Sequence, residues 1–534
     1  MFSTQQKQRL NPFFWFLSGI LLYAAWPMSV LQPIIFFAWI PLLMVEDRIS
    51  SPLLFFGILL TNFLIWNTAT TWWIWNASPS GAVGAIVVNA LLMCLPWFLY
   101  RFTKRKLGQN IGLLSFIAYW LAYEYLHHNW DLSWPWLTLG NVFATHPAWV
   151  QWYKYTGTTG GSLWVLLANV LIYKSFKKNA QHQIFNVHYS TPIAVIILPI
   201  CISLLTKMGA GTKQENTSHN PNIIVVQPNI DPYNEKFSTD PAMQISKLIS
   251  LSENKIDTNT RLVIWPETAV PVEVFENNIL VNPYYQPIFS FVKKHPNILL
   301  ITGIDSYENF GAVNPRGFAA RRDNVTGNYY EAYNTALGID NSLKLQLYHK
   351  SKLVPGVESL PAWLGFMSKL FDDLGGTSGT LGRSKTAMVF GSPNNPYVAA
   401  PIICYESIYS DYVTNYSRLG ANVLTIITND GWWGDTPGYH QHQNMGRLRA
   451  IENGCWVARS ANTGISCFIS PQGEVFQPQP WNVATSIKMD IPPTPATTFY
   501  AIHGDWLSVL AAVLTAILLL WSVVKRKPTN QLKL

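Results

Sequence analysis

Three apolar runs of the sequence each end in a group able to do chemistry. Leu262-Val263-Ile264-Trp265-Pro266-Glu267 delivers a carboxylate, Leu345-Gln346-Leu347-Tyr348-His349-Lys350 an amine, and Ala400-Pro401-Ile402-Ile403-Cys404-Tyr405-Glu406 a thiol. Gathered at one sheet edge, they would form a nucleophilic site. Glu267 can take the thiol proton as general base, and Lys350 can stabilise both the thiolate and a developing oxyanion. A thiol needs such help because its unperturbed pKa is about 8.5. Each residue also has an ordinary reading. A lone Cys after an apolar strand most often packs as a small core residue. A Glu or Lys at a strand end is usually solvated. Spacing alone does not bring the three together.

The elements that must position them lie in a block at residues 215–500. Strand-like runs fall at 222–227, 262–265, 298–304, 344–348, 398–403, 423–427 and 465–470. Helical patterns separate several of them, at 241–256, 283–294 and 442–453, the last with Met445, Leu448 and Ile451 at helical spacing. This rhythm predicts an α/β fold with chemistry at the strand ends. No internal repeat or low-complexity segment interrupts it.

The rest of the chain has a different character. Of 534 residues, 49% are apolar and only 12% charged, about half the charge of an average soluble protein. With 23 Trp and a positive mean hydropathy, this composition predicts a polytopic membrane protein with Trp and Tyr at the lipid–water boundary. It excludes disorder, and five Cys do not make a disulfide scaffold. The net charge of +8 is not a nucleic-acid signal. Residues 209–503 hold 21 Lys and Arg against 24 Asp and Glu, net −3, so the positive charge belongs to the membrane part.

Eight apolar runs are suited to spanning, at 12–28, 30–45, 53–75, 82–100, 111–126, 161–173, 192–205 and Trp506–Val524. Pro27 and Pro33 predict a bent hairpin for the first two. If all eight span, 14 of the 16 basic residues outside 209–503 share one side, including Arg101, Lys104, Arg105, Lys106 and Lys177. Only Lys154 and Lys207 lie opposite. The positive-inside rule then puts both termini in the cytoplasm and the α/β block outside. No small-residue cleavage site follows Trp26-Pro27-Met28, so the first run reads as an anchor. The expected domains are a seven-helix membrane domain at 1–210, a catalytic domain at 215–500, and an eighth helix with a basic tail at 504–534.

The strings Trp265-Pro266-Glu267, Tyr348-His349-Lys350 followed by Leu353-Val354-Pro355, and Cys404-Tyr405-Glu406 resemble the Glu–Lys–Cys signatures of the nitrilase, or carbon–nitrogen hydrolase, superfamily. Thr428-Asn429-Asp430-Gly431-Trp432-Trp433-Gly434, His440-Gln441-His442 and Arg459-Ser460-Ala461-Asn462-Thr463-Gly464 resemble one branch, the bacterial apolipoprotein N-acyltransferases. The resemblance implies eight transmembrane helices with an extracytoplasmic nitrilase-like αββα sandwich between the last two. It implies Cys404 as acyl-accepting nucleophile, Glu267 as base and Lys350 as oxyanion stabiliser. Glu358 matches a further glutamate; Tyr405 and Glu406 match residues flanking the nucleophile, with the Tyr405 N–H in the oxyanion hole. Two positions depart from the family. Pro355-Gly356-Val357-Glu358 replaces Pro-Phe-Gly-Glu, and Phe237 stands where a Trp is usual.

The implied reaction moves an acyl chain from a membrane phospholipid, through a Cys404 thioester, to the N-terminal amine of diacylglyceryl-modified apolipoproteins. It needs no cofactor and no nucleic acid, and a monomer in the bacterial inner membrane suffices. A membrane-tethered amidase would use the same triad but release free acid; a lipid-binding assembly protein would tolerate loss of the thiol. A transporter would need ionisable groups inside the spans, which apart from Glu124 are nearly absent.

Other residues rank lower. His440 and His442, at i,i+2, do not share a helix face and give no metal site. Cys94 and Cys201 read as packing residues, and Cys455 and Cys467 as buried, with a disulfide between them chemically possible outside the cytoplasm. Glu124 invites a functional reading or an interfacial one beside His127 and His128. Trp363, Phe366, Met367, Leu370 and Phe371 fall largely on one helical face before the glycines at 375–379. That pattern predicts either an interfacial arm guiding acyl chains or an ordinary helix packed on the sandwich.

Overall fold

The computed structural model describes residues 12–26, 31–179, 189–209, 220–359 and 380–525. Thirteen strands in the described part of the α/β block form two sheets. The first holds β1 (Asn222–Gln227), β2 (Thr260–Ile264), β3 (Val270–Phe275), β4 (Leu299–Gly311), β5 (Arg321–Arg322), β6 (Tyr329–Ile339), β7 (Gln346–His349) and β13 (Thr485–Asp490). The second holds β8 (Ala399–Ile403), β9 (Val423–Thr428), β10 (Val457–Ala461), β11 (Cys467–Ile469) and β12 (Val475–Phe476), in the order β12-β11-β10-β9-β8.

Alternation along the strands builds the layers. Ile223, Val225, Leu262, Ile264, Leu299 and Ile301 face the second sheet and share a core with Ile402, Leu424, Ile426 and Val457. Their neighbours Ile224, Val226, Val263 and Leu300 face a second core with Ile245 and Leu248 of the Pro241–Glu253 helix and Ile288 and Val292 of the Gln286–Lys294 helix. Helices Ser410–Arg418 and Pro437–Asn453 cover the far side. The result is an αββα sandwich.

Two central strands escape the hydropathy pattern. β6 contains Glu331, Asn334 and Gly338, and β10 contains Arg459 and Ser460. Asn334, Arg459 and Ser460 are buried and used inside the protein, while Glu331 is half-exposed.

The helical part packs into a bundle. Four of the expected runs are continuous helices long and apolar enough to cross a membrane: Pro52–Thr71, Pro79–Leu107, Ser190–Gly209 and Trp506–Val524. Gln109–His128 and Tyr153–Asn179 pack beside them, the latter broken at Gly157, whose φ of 59° leaves no room for a side chain against Tyr500. The first two runs are interrupted. Their described residues form turns at Pro12–Trp15 and Gln32–Phe36 and short helices at Leu17–Ala24 and Ile40–Arg48. Eight residues rise only about 12 Å, less than half of a hydrocarbon core. Tryptophan also departs from expectation. Trp39, Trp66, Trp97 and Trp120 are buried inside the bundle, Trp39 packing edge-on against Trp120 at 4.6 Å, rather than lying at a lipid boundary.

The two ends of the bundle differ. At one, Glu46 and Asp47 gather basic side chains from separate helices: Lys104 bonds both carboxylates, Lys177 reaches Asp47 at 2.9 Å, and Arg101 lies 3.8 Å from Glu46. The other end is the floor of the sandwich. Asn76 donates to the Trp433 carbonyl at 2.8 Å, Thr158 N–H to Glu452 at 3.0 Å, and Lys207 pairs with Glu474 at 2.8 Å. Tyr405, Ile408, Tyr409, Met445, Leu448 and Ile451 of the sandwich join the hydrophobic core of the helices. The two parts are packed as one body.

Candidate active site

Cys404 begins the 3-10 turn Cys404–Ile408 directly after β8. Its φ of +46° is left-handed, a conformation costing a non-glycine residue about 1 kcal/mol. Glu406 holds the turn against that cost. Fully buried, its carboxylate accepts from Ile403 N–H at 2.9 Å, Ser351 N–H at 2.7 Å and Tyr348 O–H at 2.5 Å. It therefore ties the nucleophile turn to the segment that carries Lys350.

Lys350, beyond the end of β7, is 1% exposed and sits between two carboxylates. Its Nζ lies 3.1 Å from Glu267 Oε1 and 2.7 Å from Glu358 Oε1. Asn334 of β6 donates to the same two oxygens, at 2.8 and 3.2 Å, and its carbonyl accepts from Lys350 N–H. The second Glu267 oxygen accepts from Asn429 N–H at 3.0 Å, and the second Glu358 oxygen from Val354 N–H at 2.8 Å. Gly303 of β4 backs the base. A Cβ there would stand 2.2 Å from Thr268 N and 2.6 Å from Glu267 Cα.

Charge follows from this packing. Burial opposes ionisation of Glu267, but the Lys350 ammonium and then the Asn334 amide hold its pKa below the ordinary carboxylate range. Burial likewise opposes the charge on Lys350, and Glu267 and Glu358 override it, raising the pKa well above that of a free lysine. The Cys404 thiol is pushed far up by burial and then by Glu267, against the pull of Lys350. The resting site is thus a thiol beside an ionised carboxylate and an ammonium. Glu267 is the ionised carboxylate whose charge acts most strongly on the thiol.

A second buried set supports the turn from below. His442 Nε2 lies 2.8 Å from Ser407 Oγ and 3.2 Å from the Cys404 carbonyl, and its Nδ1 lies 2.9 Å from Asp430. Arg459 binds the other Asp430 oxygen at 2.6 Å. Burial works against the Asp430 carboxylate, yet Arg459 and His442 lower its pKa to about 2. In the sequence these three residues belong to the strings that resemble the family branch, but apart from a metal reading for His442 no role follows from the sequence. Polar residues inside β10 and at the tip of β9 were the available signal.

The remaining expected residues are dispersed. Tyr405 is buried, its hydroxyl donating to the Ser133 carbonyl at 2.8 Å and its ring stacked on Trp134. Phe237 is 77% exposed and does not enter the site; its neighbour Lys236 is the buried one, bonded to the Thr268 hydroxyl beside Glu267. Trp363 and Phe366, with the proposed arm, lie outside the described residues. Cys455 and Cys467 are both free thiols, so no disulfide joins them, and Cys201 is exposed rather than packed. Glu124 accepts from Trp120 Nε1 at 3.0 Å and Leu139 N–H at 2.8 Å, which pins the 139–143 segment to its helix.

Comparison with known proteins agrees with this architecture. Residues 223–497 match the carbon-nitrogen hydrolase family, and residues 18–171 match the apolipoprotein N-acyltransferase N-terminal domain. The chain is 31% identical to an apolipoprotein N-acyltransferase of Chlorobaculum tepidum, over 97% of each chain. It is 28% identical to that of Rickettsia typhi, over 83% of this chain and 82% of the other. Among solved structures it matches Saccharomyces cerevisiae Nit3, a nitrilase superfamily member, over 54% of this chain and 95% of that one, at 17% identity and a TM-score of 0.36. By its two family segments and its full-length relatives, the chain belongs to the apolipoprotein N-acyltransferase family, within the carbon–nitrogen hydrolase superfamily.

Proposed function

We propose that this protein N-acylates apolipoproteins at a bacterial inner membrane, with Cys404 as a transient acyl carrier. Cys404 Sγ attacks an ester carbonyl of a phospholipid while Glu267 takes the thiol proton. Lys350, with the Tyr405 N–H, stabilises the oxyanion. The intermediate collapses, the bond between the acyl carbon and the glyceryl oxygen breaks, and Glu267 returns the proton to the departing lysophospholipid. The α-amine of a diacylglyceryl-cysteine then attacks the thioester, losing its proton to Glu267 as the thiolate leaves. One pocket thereby serves two lipid substrates in turn.

The observation that carries this reading is the Lys350 ammonium held between Glu267 and Glu358 beside a buried thiol, on a turn whose next residue, Tyr405, is bonded to the helical part. A nucleophile seated on a membrane bundle suits acyl donors that stay in the bilayer. The convergence of Arg101, Lys104 and Lys177 at the end opposite the sandwich supports an orientation with that end cytoplasmic and the sandwich periplasmic. Eight spans, a division at 1–210, 215–500 and 504–534, and a monomeric enzyme complete the proposal.

Intact-mass analysis after exposure to phospholipid tests it. The purified protein should gain one acyl chain on Cys404, released by hydroxylamine and transferred to a diacylglyceryl-cysteine peptide. Release of free fatty acid with no N-acylated peptide would instead identify a tethered amidase.

A further inference from the structure

A cavity of about 560 Å³ opens where the helical part meets the sandwich, apart from the carboxylates around Lys350. Its walls come from the 129–133 loop after the Gln109–His128 helix, from Ser351 and Lys352, and from Arg383, Ser384 and Lys385. Three of its lining residues are cationic and one, Asp131, is anionic. Asp131 is already paired, with Arg383 at 3.1 Å.

Lys352 is the least exposed of the three cations. It is half-buried, and its ammonium meets the His128 carbonyl at 3.4 Å and the faces of Tyr409 and Tyr412, 4.9 and 5.6 Å from the ring centres. Among the described residues no carboxylate forms an ion pair with it. Burial depresses its pKa; of the charges around it Glu406 and Asp411 act against that effect, and Arg383 adds to it. Two cations that feel each other across a hydroxyl-lined hollow are the complement of an oxyanion with two charge-bearing acceptor oxygens. Ser133, Ser351 and Ser384 line the same hollow and can supply donors.

Location narrows the ligand. The cavity lies at the sandwich-facing end of the bundle, the level at which lipid headgroups meet a membrane helix. Its volume falls within the range of small-molecule sites. Lys352 is two residues from Lys350, at most about 7 Å along the chain. Wall and nucleophile are also linked: the Tyr412 hydroxyl lies 2.6 Å from that of Tyr348, which donates to Glu406, the residue bracing the Cys404 turn.

We propose that this cavity binds the phosphodiester of the phospholipid acyl donor, with Lys352 as its principal cation and Arg383 and Lys385 at its mouth. The assignment of donor rests on the thioester reading above; binding at the cavity does not. The test uses the full-length protein in detergent micelles and two readouts. The first is binding of a fluorescent lysophospholipid, which requires no chemistry. Lys352→Gln with Arg383→Gln should weaken it about tenfold or more, because two charge-assisted contacts are lost, and Lys352→Arg should restore most of it. Unchanged binding overturns the site.

The second readout is the rate of Cys404 acylation from phospholipid and from a phosphate-free activated ester. The loss in the double variant should be about tenfold greater with phospholipid, one decade of affinity being about 1.4 kcal/mol. Equal losses would make the cavity a structural support only. Inorganic phosphate added at the concentration of the lysophospholipid should not displace it; displacement would make this a free-anion site and overturn the lipid assignment. If the wild-type protein binds lysophospholipid but acquires no adduct from either donor, the thioester reading fails while the site stands.

Discussion

Glu358 Oε1 accepts a hydrogen bond from Lys350 Nζ at 2.7 Å, shorter than the 3.1 Å contact from Lys350 to Glu267. Glu358 is itself fixed by Val354 N–H. The lysine is thus clamped by one carboxylate so that the other can change charge. In the proposed mechanism, when Glu267 takes a proton, Lys350 keeps a counter-ion and stays in place for the oxyanion.

The two glutamates should therefore separate on substitution. Glu267→Gln removes the base and should abolish the thioester. Glu358→Gln loosens Lys350 and should slow thioester formation about 10- to 100-fold, the range for partners that orient a reacting group. Time-resolved intact mass of each variant with phospholipid decides between them. Thioester at the normal rate in Glu267→Gln would remove Glu267 from that step.

Cys404→Ala should give a folded protein with no acyl adduct and no N-acylated product. Cys404→Ser should retain the fold and lose transfer by orders of magnitude, because an alkoxide is far harder to generate than a thiolate. Near-normal transfer by the Ala variant would show that another group carries the acyl chain.

The Asp430–Arg459–His442 set predicts an acid limb in stability. The folded-state pKa of Asp430, about 2, lies below its ordinary 3.8. A depressed carboxylate contributes stability that is fully present above about pH 4 and is lost as pH falls through about 2. Asp430→Asn should cost about 3 kcal/mol or more near neutrality, since Arg459 is left buried and unpaired, and should flatten this acid limb. Melting followed from pH 7 to pH 2 for both proteins provides the check. An unchanged acid limb in the variant would assign it to other carboxylates.

Orientation can be read with fusions after Lys533. Green fluorescent protein there should fluoresce and alkaline phosphatase should be inactive, as expected for a cytoplasmic end. The same phosphatase inserted at the exposed Val325, 93% exposed, should be active. The reverse pattern would invert the membrane topology.

Much of this protein is set by local sequence. Glu267, Lys350 and Cys404 could be singled out because each follows an apolar run, and in the structure they lie just beyond the C-terminal ends of β2, β7 and β8. The last apolar helix was legible to the residue, Trp506–Val524, because nothing charged interrupts it. Helix breaks at the N-terminal runs were half visible. Pro33, of the Pro27 and Pro33 pair expected to bend them, stands at the start of a helical piece, where a missing N–H costs nothing, as Pro12 and Pro41 also do. Pro27 lies outside the described residues.

What only the tertiary structure decided is which polar groups are partnered. Asn334, Asp430, Arg459 and His442 look unsuited to a core, and β6 and β10 were missed for that reason, until distant residues supply their hydrogen bonds. The same holds for Glu406, whose carboxylate joins β8 to the Lys350 segment across 55 residues of sequence, and for Lys352, whose place against Tyr409 and Tyr412, with no ion pair among the described residues, is visible only once its neighbours are in place. Hydrophobic periodicity is local, because it reports one face of one element. Charge compensation is non-local, because a buried ion is stable only beside partners that chain folding brings from elsewhere.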